Sequence, residues 1–471
     1  MSAETIRGKQ SISFREAPHI VSRASIVGKK EGEGPLGNLF DRVEEDPMLG
    51  QASWEEAESA LQKQAARLAM EKAGPGVPPV RYLFSGDLLG QLIATSFGVM
   101  DLKLPLFGLY GACSTIGEAL MLGAMTVQGG YSDAVLALTS SHFGSAEKQF
   151  RFPLAYGNQR PLSATWTVTG SGAFVLAHSG GKARVTGATP GRVVDYGLKD
   201  SMNMGACMAP AACDTICAHL EDFGRTPQDY DYIITGDLGS VGQTLLLELA
   251  GKRGFDLEGR HLDCGMLIFD PKAQDTHAGG SGCACSAVTL AAYILPKIES
   301  GEWRRVLFVP TGALLSTVSY NEGQSVPGIA HAVVIEHCGR RTGPGRQLGG
   351  NERMDYLKAF LVGGLICALV QILMEKTKMM PGRIMVLLVC SGAVLGALGL
   401  YGPFQEFAGA GASVPLLGFG NTLWKGVKEA VETDGFLGIF KGGFTASAAG
   451  ICAALVFGYL ASLLFQPKMK K

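Results

Sequence analysis

The stretch VRYLFSGDLLGQ, residues 80–91, has a counterpart in DYIITGDLGSVGQ, residues 231–243. Each stretch begins with an apolar run of strand length that ends in Gly-Asp-Leu, with Asp87 in the first and Asp237 in the second. We interpret both aspartates as residues that cap a helix or a turn at a strand end. A match in order and in residue type between two distant stretches indicates an internal duplication.

Three further pairs of stretches match in the same order along the chain. They are GACSTIGEALMLGA (111–124) with GCACSAVTLAAYIL (282–295), DAVLALTSSH (133–142) with RVLFVPTGAL (305–314), and GSGAFVLAHSG (170–180) with IAHAVVIEHCG (329–339). The first pair aligns Cys113 with Cys285, each at a turn that opens an Ala-rich helix. Strand, crossover helix and strand, twice over, predict an α/β domain with mostly parallel sheets covered by helices. The two pseudo-repeats occupy about residues 1–180 and 181–338.

An amphipathic helix is predicted ahead of the first repeated strand. Ser53 and Glu56 have the spacing of a capping box, so the helix is expected over residues 54–72. Gly74 and Pro75 follow it and are expected to end it.

Composition limits the classes of function that the chain can have. With 471 residues the chain exceeds what one hydrophobic core usually organises, so two or more domains are expected. Its 41 Lys and Arg nearly balance its 42 Asp and Glu, which gives no support for a nucleic-acid partner. The 11 cysteines include no C-x-x-C pair and lie mostly among apolar residues, as is typical of reduced thiols in a cytoplasmic compartment. The N-terminal residues MSAETIRGKQSISF lack the apolar core of a signal peptide, so the first domain is expected in the cytoplasm.

The sequence changes in character after Cys338. Residues 339–353, GRRTGPGRQLGGNER, are rich in Gly and Arg and indicate a linker. Residues 354–471 then form a domain in which charges nearly vanish in blocks. Transmembrane helices are predicted at about 356–374, 384–405 and 442–466, and a fourth is left open at 407–424, where Gly and Pro interrupt the run.

Charge around and inside these segments bears on orientation and transport. Basic residues lie before the first predicted span and after the last, at Arg340, Arg341, Arg346, Arg353, Lys358, Lys468, Lys470 and Lys471. Four spans would place both clusters in the cytoplasm, whereas three would place the C-terminal lysines outside. Apart from Lys358 at the start of the first, the predicted spans contain no charged residue, which favours a passive pore component over a proton-driven pump.

Two βαβ-rich halves, with a cysteine on the turn before a helix, resemble the thiolase fold. Within that superfamily, residues 8–338 are similar to the stage V sporulation protein AD family. The stretches that carry this similarity are EGPLGNLFD, GDLLGQ, GACST, TSSHFGSAEKQFRFP, TVTGSGAFVL, MAPAACDTI, HLEDFGRTPQDYD, TGDLGSVGQ, GGSGCACSA and PTGALLS. Residues 354–468, beginning MDYLKAFLVGGLICALVQ, resemble the stage V sporulation protein AE family. Members of the two families are normally separate chains, so Met354 looks like the start of a second protein in a native or an engineered fusion.

The resemblance also bears on catalysis. In thiolase-type enzymes the cysteine at the helix N-terminus is the nucleophile, because the helix dipole and free N–H groups lower its pKa and stabilise an oxyanion. Cys113 occupies that position, but the thiolase Gly-His-Pro motif is replaced by Gly279, Gly280 and Ser281. The Cys-x-Gly base also has no counterpart, and His331 is the nearest candidate. With two supports of the mechanism missing, no residue is assigned a catalytic role, and the domain is predicted not to be an enzyme.

What the resemblance implies for the ligand is dipicolinic acid, alone or as its calcium chelate. Helix N-termini at Cys113 and Cys285 are expected to face one another and to offer N–H donors to its carboxylates. Serine hydroxyls, a histidine and an arginine would add side-chain donors. The predicted ligand-binding residues are Cys113, Asp133, Ser140, Ser141, Arg151 and His331, with His142 as the alternative histidine. No cofactor or metal is predicted, apart from calcium that the ligand could carry.

Two functions from different classes are therefore weighed. The first is a non-catalytic binding or gating domain, fused to a channel component, that takes part in moving dipicolinate across the spore inner membrane during sporulation and germination. The second is a membrane-anchored acyltransferase or condensing enzyme of the thiolase class that uses Cys113. The first implies the forespore or spore inner membrane, with the thiolase-like domain on the cytoplasmic side. Its implied partners are the lipid bilayer, other membrane proteins of the same channel, and a second copy of the chain or a hetero-oligomer.

Overall fold

The computed structural model describes residues 5–150, 159–338, 351–377, 379–399, 401–408 and 416–439, together with residues 412, 441–443, 445, 447 and 448. Contacts divide the chain into two compact units, Met1–Gly339 and Arg340–Lys471. Most of the predicted linker, residues 339–350, lies outside the described residues. Its last three residues, 351–353, already form the start of a helix.

The first unit is built on one large mixed sheet. Its 13 strands are β1 (Ile6–Arg7), β2 (Ser11–Ser13), β3 (His19–Gly28), β4 (Arg42–Glu44), β5 (Tyr82–Asp87), β6 (Leu106–Gly108), β7 (Ala134–Ser141), β9 (Gly170–Ala177), β10 (Ala183–Thr189), β11 (Tyr232–Thr235), β12 (His261–Asp263), β14 (Arg305–Val309) and β17 (Ala332–His337). Two small sheets pair β8 (Trp166–Thr167) with β13 (Gly280–Ser281), and β15 (Thr311–Ala313) with β16 (Gly328–Ala330).

The large sheet consists of two halves with the same strand order. The first half runs β6–β5–β7–β9–β3 and the second runs β12–β11–β14–β17–β10. β3 and β10 join the halves through the pairs Ile20 with Ala183 and His19 with Arg184. The same order in both halves matches the predicted duplication, and the α/β class is confirmed.

The expectation of mostly parallel sheets is wrong for the central part of the large sheet, from β9 through β3 and β10 to β17. Toward the two ends of the sheet the strands pair in parallel, β6 and β7 with β5, and β12 and β14 with β11. β9 and β17, in contrast, pair antiparallel with both of their neighbours. The path of the chain explains this, because β7 ends at Ser141 and β9 begins beside it at Gly170, so the chain returns from the same edge of the sheet.

Helices cover both faces of the sheet. In chain order they are α1 (Lys29–Gly32), α2 (Trp54–Ala73), α3 (Ile93–Val99), α4 (Thr115–Gln128), α5 (Phe143–Phe150), α6 (Met204–Phe223), α7 (Gly239–Lys252), α8 (Cys264–Ile268), α9 (Cys283–Thr289), α10 (Leu295–Ser300) and α11 (Thr317–Asn321). β7 is buried along its whole length and serves two cores by alternation. Leu136 and Leu138 pack in the core that contains α2, and Val135 and Ala137 pack in the core that contains α4 and α9.

The helix predicted after Ser53 is confirmed as α2. The Ser53 hydroxyl accepts a hydrogen bond from the N–H of Glu56 at 3.3 Å, and the Glu56 carboxylate accepts one from the N–H of Ala52 at 3.1 Å. Gly74 follows the helix with φ of +74°, a conformation that glycine adopts without strain. Local capping residues therefore fix both ends of the helix.

The second unit is helical among its described residues. Its helices are α12 (Asn351–Lys376), α13 (Pro381–Ala397), α14 (Tyr401–Ala408) and α15 (Leu416–Asp434). The prediction at 356–374 falls inside α12. One continuous helix over 384–405 is wrong, because α13 ends before Gly399, whose φ of +73° breaks the helix, and α14 starts afresh at Tyr401.

The segment 407–424, where the sequence leaves a fourth span open, and the segment 442–466 are only partly covered by the described residues. Of the segment 407–424, residues 416–424 belong to α15, which continues to Asp434. Most of the segment 442–466 lies outside the described residues. Within the described part of the chain, no helix combines the length and the apolar character that a membrane crossing requires.

Candidate functional site

Cys113 lies on a tight turn between β6 and α4. Ala112 has a positive φ of +49°, and the hydroxyl of Ser114 donates to the carbonyl of Gly111 at 2.6 Å. The second half of the unit approaches this turn closely, since a Cβ on Gly312 would lie 2.3 Å from the carbonyl oxygen of Gly111. The turn is therefore fixed both by its own hydrogen bonds and by the repeat opposite, and Cys113 is held buried on it.

A cysteine of the second half lies against the Cys113 turn, but it is not the predicted one. The thiol of Cys283 donates to the carbonyl of Ala112 at 3.0 Å. The thiol of Cys285 points elsewhere and donates to the carbonyl of Gly236 at 3.5 Å. The predicted facing of Cys113 and Cys285 is wrong, because successive helical residues point in different directions and only Cys283 is directed toward the turn.

Asp237 is the charged neighbour of the Cys113 thiol. It is fully buried and accepts hydrogen bonds from the Thr311 hydroxyl at 2.7 Å, the Gly282 N–H at 3.0 Å and the Ser281 hydroxyl at 3.1 Å. Burial raises the pKa of the Cys113 thiol well above its usual value, and the Asp237 carboxylate raises it further. The thiolate, which is the nucleophilic form, is therefore disfavoured at neutral pH.

Asp87 and Asp237 are both predicted to cap a helix or a turn, and only Asp87 does so. Asp87 accepts hydrogen bonds from the N–H groups of Leu89 at 2.9 Å and Thr95 at 2.7 Å. The N–H groups of Leu238 and Gly239, at the start of α7, donate to Asp263 and not to Asp237.

What the sequence analysis missed is that Asp237 lies beside Cys113. The Gly-Asp-Leu motif gave no signal of this contact, because Asp237 and Cys113 lie in different repeats.

The space beside Cys113 is small. A cavity of about 30 Å³ adjoins the thiol, which is room for about one water molecule. We call it the Cys113 cavity. Its lining residues are Leu88, Tyr110, Ala112, Cys113, Ala146, Glu147, Phe150, Thr165, Thr167, Met204, Ser281, Ala313 and Leu315. Apart from Cys113, none of the predicted ligand-binding residues within the described segments lines it.

The two predicted serines are buried and bonded to other groups. The hydroxyl of Ser140 donates to the carboxylate of Glu58 at 2.9 Å and accepts from Gln62 at 2.8 Å, both on α2. The hydroxyl of Ser141 donates to the carbonyl of Val168 at 2.7 Å and accepts from the N–H of Ala284 at 3.1 Å. Both hydroxyls therefore hold secondary structure together and are not directed at the cavity.

The remaining predicted residues are also dispersed. His331 is buried against α4, where its Nδ1 accepts the N–H of Gly191 at 3.1 Å, and burial lowers its pKa to about 4. Asp133 precedes β7 at the strand end opposite to Ser141, and its exposed carboxylate lies 3.8 Å from His178. Arg151 lies outside the described residues. The predicted ligand set is thus not assembled around Cys113, because short sequence spacing did not reveal which face of each strand a side chain occupies.

A much larger space opens beside the Cys113 cavity, and Glu147 lines both. We call this second space the cleft; its volume is about 980 Å³. Its lining residues are Gly28, Lys29, Lys30, Glu31, Glu33, Glu45, Pro47, Trp54, His142, Phe143, Gly144, Glu147, Arg160, Trp166, Thr169 and Asp275. A space of this size matches pockets that hold small organic ligands.

Trp166 organises one wall of the cleft. Its ring stacks on that of Phe143, with centroids 3.9 Å apart and planes 6° from parallel. Lys30 Nζ lies 4.0 Å and Arg160 Cζ 4.8 Å from the centre of the same indole ring. Lys30, Arg160 and Trp166 belong to none of the matched repeat stretches, and the sequence offered no local signal for them.

Two acidic residues that line the cleft, Glu31 and Glu45, have partners of their own. Glu31 is buried and accepts the N–H of Thr169 at 3.0 Å, and burial raises its pKa to about 7. Glu45 pairs with Lys29 at 3.1 Å. Among the described residues, no group of three or more His, Cys, Asp or Glu side chains is arranged to hold a metal ion.

Comparison with known proteins gives two family matches. Residues 8–336 match the family Stage V sporulation protein AD (SpoVAD), and residues 355–464 match the family SpoVAC/SpoVAEB sporulation membrane protein. The first unit is 42% identical to stage V sporulation protein AD of Bacillus subtilis (strain 168) over 334 residues, which is 71% of this chain and 98% of that protein. A second stretch is 33% identical to stage V sporulation protein AC of the same organism over 118 residues, 23% of this chain and 77% of that protein.

Solved structures with a similar backbone are also found. 3-Oxoacyl-[acyl-carrier-protein] synthase III from Aquifex aeolicus shares 13% identity over 68% of this chain and 100% of its own, with a TM-score of 0.44. OleA from Xanthomonas campestris shares 14% identity over 69% of this chain and 99% of its own, with the same TM-score of 0.44.

Proposed function

The chain belongs to the stage V sporulation protein AD family and carries, in the same polypeptide, a domain of a sporulation membrane protein family, and from that premise we propose that it binds dipicolinic acid without catalysing a reaction. The ligand is the free acid or its calcium chelate. In this proposal the first unit binds the ligand, and the second unit is part of the route that moves it across the spore inner membrane.

The observation that carries the non-catalytic half of the proposal is the pairing of Cys113 with a buried carboxylate. A condensing enzyme needs a thiolate and a base that helps to form it. Asp237 has the opposite effect here, because its negative charge raises the pKa of the Cys113 thiol. The Cys113 thiol stays protonated, and the cavity beside it has room for only about one water molecule. Both observations favour a site that no longer catalyses acyl transfer.

The glycine that replaces the thiolase histidine supports the same conclusion. Gly280 is so enclosed that a Cβ at this position would lie 2.7 Å from the side chain of Ile268 and 3.3 Å from that of Phe269. A histidine could not occupy this position without moving two buried side chains. The surroundings of Gly280 are therefore adapted to the absence of a side chain.

We place the second unit in the spore inner membrane, with the first unit on the cytoplasmic side. Family membership supports this placement, and so do apolar side chains that are exposed along α12, among them Phe360, Leu365 and Leu369. Exposed apolar surface of this extent fits a lipid or protein environment better than water. Other membrane proteins of the same channel are the proposed partners of this unit.

A second copy of the chain is the partner that we propose for the first unit. β6 lies at one end of the sheet order, so the outer side of this strand has no partner strand among the described residues. Ile93, Phe97, Met100 and Phe107 leave large apolar side chains exposed around this edge. Unpaired backbone N–H and C=O groups next to exposed apolar side chains favour pairing with a strand of a second molecule.

One experiment separates the binding function from the alternative, a membrane-anchored acyltransferase that uses Cys113. The full-length chain is purified in detergent and titrated by calorimetry with dipicolinate and with calcium dipicolinate. The same preparation is incubated with acetyl-CoA and acyl-CoA substrates, and its intact mass is measured. We expect saturable binding and no acyl adduct. An acyl group on Cys113 that turns over would contradict the proposal, and so would the absence of any binding.

A further inference from the structure

Two cysteines of α6 place their thiols in contact. Cys213 and Cys217 are one helical turn apart in the stretch CDTIC, residues 213–217, and their sulfur atoms lie 3.8 Å from each other. Both are buried, 3% and 0% exposed, in the core that contains apolar residues of α6 and α7. Neither lines the Cys113 cavity or the cleft, so the first unit carries a pair of thiols outside both spaces.

The geometry of the helix does not suit a disulfide between these thiols. Residues four apart on an α-helix have Cβ atoms about 5–6 Å apart, whereas a disulfide requires about 3.5–4.5 Å. A metal ion between the sulfur atoms needs no such distortion. Two metal–sulfur bonds of about 2.3 Å separate the sulfurs by about 3.8 Å at a tetrahedral angle and by about 4.6 Å in a line. The observed separation of 3.8 Å lies at the lower end of this range.

Arg253 supplies a positive charge beside the thiols. A hydrogen bond from Cys217 lowers the pKa of the Cys213 thiol, burial opposes this effect, and the charge of Arg253 lowers the pKa further. The contact of Arg253 with the Asp214 carboxylate is long, at 3.5 Å. Arg192 holds the same carboxylate through three hydrogen bonds of 2.8, 2.9 and 3.2 Å. Asp214 therefore does not depend on Arg253, and the Arg253 guanidinium can act on the two sulfur atoms.

The ligand set fits a soft cation that takes few ligands. Across the described ranges, no third His, Cys, Asp or Glu side chain joins the two thiols in an arrangement that could hold a metal ion. Zn²⁺ in structural protein sites takes four ligands, so two thiolates alone satisfy it only in part. Cu(I), in contrast, is among the ions that thiolates select. Two thiolates around Cu(I) carry one net negative charge, which the Arg253 guanidinium would balance in this buried setting.

We propose that Cys213 and Cys217 bind one Cu(I) ion between their sulfur atoms, with Arg253 as the neighbour that balances the charge. Each thiol loses its proton as a copper–sulfur bond forms, so one Cu(I) displaces two protons and no electron is transferred. The Arg253 side chain is 44% exposed, which marks the side from which the ion would enter. The site is independent of the proposed function, because it lies in neither the Cys113 cavity nor the cleft.

The test uses the full-length chain in detergent, reduced and kept free of oxygen, with Cu(I) as the probe. Cu(I) is titrated in competition with the coloured chelator bathocuproine disulfonate, for the unaltered chain and for Cys213→Ser, Cys217→Ser and Arg253→Gln. Cys207→Ser is the matched control for the cysteines, because it removes a buried thiol from the same helix. Lys252→Gln, which removes a charge from the position before Arg253, is the control for Arg253→Gln. Unfolding temperatures show whether each variant is folded, and Arg253→Gln serves as the second probe if the serine variants are not.

We expect the unaltered chain and Cys207→Ser to hold one equivalent of Cu(I) more than either Cys213→Ser or Cys217→Ser. Arg253→Gln should weaken the affinity for this equivalent by about tenfold or more, and Lys252→Gln should leave it unchanged. The proposal is overturned if the unaltered chain holds no Cu(I) against the chelator, or if both serine variants hold as much as the unaltered chain. Displacement of the ion by an equal concentration of Zn²⁺ would also contradict it, because that result would indicate a site with further ligands.

Discussion

At the level of single residues, the charge next to a cysteine decides what the cysteine can do. Cys113 lies on the turn where the sequence resemblance predicts a nucleophile, but Asp237 holds a negative charge beside it in a buried setting. Thioesters and condensation products require the thiolate, so the carboxylate opposes the first step of that chemistry. Formation of the Cys113 thiolate is thus opposed by Asp237, a neighbour that lies 124 positions away in the sequence.

The role of Asp237 can be tested through the reactivity of Cys113. We predict that Asp237→Asn moves the pH profile of Cys113 alkylation by iodoacetamide to lower pH, because the loss of the charge lowers the pKa of the thiol. Alkylation of individual cysteines is followed by peptide mass spectrometry in the folded, full-length chain. Cys338 is an internal control, since Arg184 and Glu336 are the charges that act on it. Identical Cys113 profiles in the two proteins would show that the carboxylate has no such effect.

Glu31 gives a prediction about the pH dependence of stability. Burial raises the pKa of Glu31 from 4.5 to about 7, so the folded chain holds this proton more tightly than the unfolded chain does. Below pH 4.5 Glu31 is protonated in both the folded and the unfolded chain, so it does not reduce the free energy of unfolding. As the pH rises to about 7 and beyond, the free energy of unfolding falls, by roughly 3 kcal/mol at the limit.

Glu31→Gln should remove this dependence, because the amide oxygen can still accept the Thr169 N–H but carries no charge. We predict that the unfolding temperature of the variant is close to that of the unaltered chain at pH 5 and clearly higher than it at pH 8. Calorimetric unfolding at the two pH values measures the gain. Glu33→Gln, which removes one charge from an exposed neighbour, is the matched control. A gain of the same size for both variants would argue against the buried proton.

At the level of elements, the short pairing of β8 with β13 connects the two regions of interest. Gly280 of β13 lies opposite Trp166 of β8, and Ser281 of β13 donates to Asp237 at 3.1 Å. One wall of the cleft and the carboxylate beside Cys113 are therefore held by the same two-residue ladder. The small residues of β13 allow this close approach.

Restoring the thiolase histidine by Gly280→His should fail for this reason. The new side chain would meet Ile268 and Phe269, so we predict a loss of stability of about 1–3 kcal/mol and no acyl transfer to Cys113. Chemical denaturation and intact-mass measurement after incubation with acetyl-CoA test the two parts. Gly251→His, at a position where a Cβ meets nothing within 4 Å, is the control for adding a histidine. A stable, acylated Gly280→His protein would show that only the histidine was missing.

The elements themselves were predictable where the signal is local. Apolar runs gave β5, β7, β9, β11, β14 and β17, and the capping residues Ser53 and Gly74 gave both ends of α2. The direction of β9 and β17 was not predictable, because it depends on the edge from which the chain returns. The ligand-binding residues were not predictable for a related reason. Ser140 and Ser141 are adjacent in sequence, but their side chains point to opposite faces of β7, where Ser140 bonds to α2 and Ser141 to the start of α9. The cleft was missed because its residues come from separate segments that only the fold brings together.

At the level of the whole molecule, the chain combines two families that the sequence comparison finds as separate proteins in Bacillus subtilis. A single polypeptide fixes their ratio at one to one and keeps the second domain at a high effective concentration near the first. Any assembly built from this chain would therefore contain equal numbers of the first and the second unit. This ratio follows from covalent connection alone and requires no particular arrangement of the two units.

Self-association is the prediction that belongs to this scale. Because β6 is an edge strand bordered by exposed Phe97 and Phe107, we expect the full-length chain in detergent to form dimers that bury this edge. Phe97→Glu combined with Phe107→Glu should produce monomers, since two like charges would face their symmetry mates in an apolar contact. Sedimentation equilibrium gives the mass of the protein component, and Val318→Glu, an exposed apolar position outside this edge, is the control. A monomeric unaltered chain, or a double variant that remains dimeric, would show that the edge at β6 is not where copies meet.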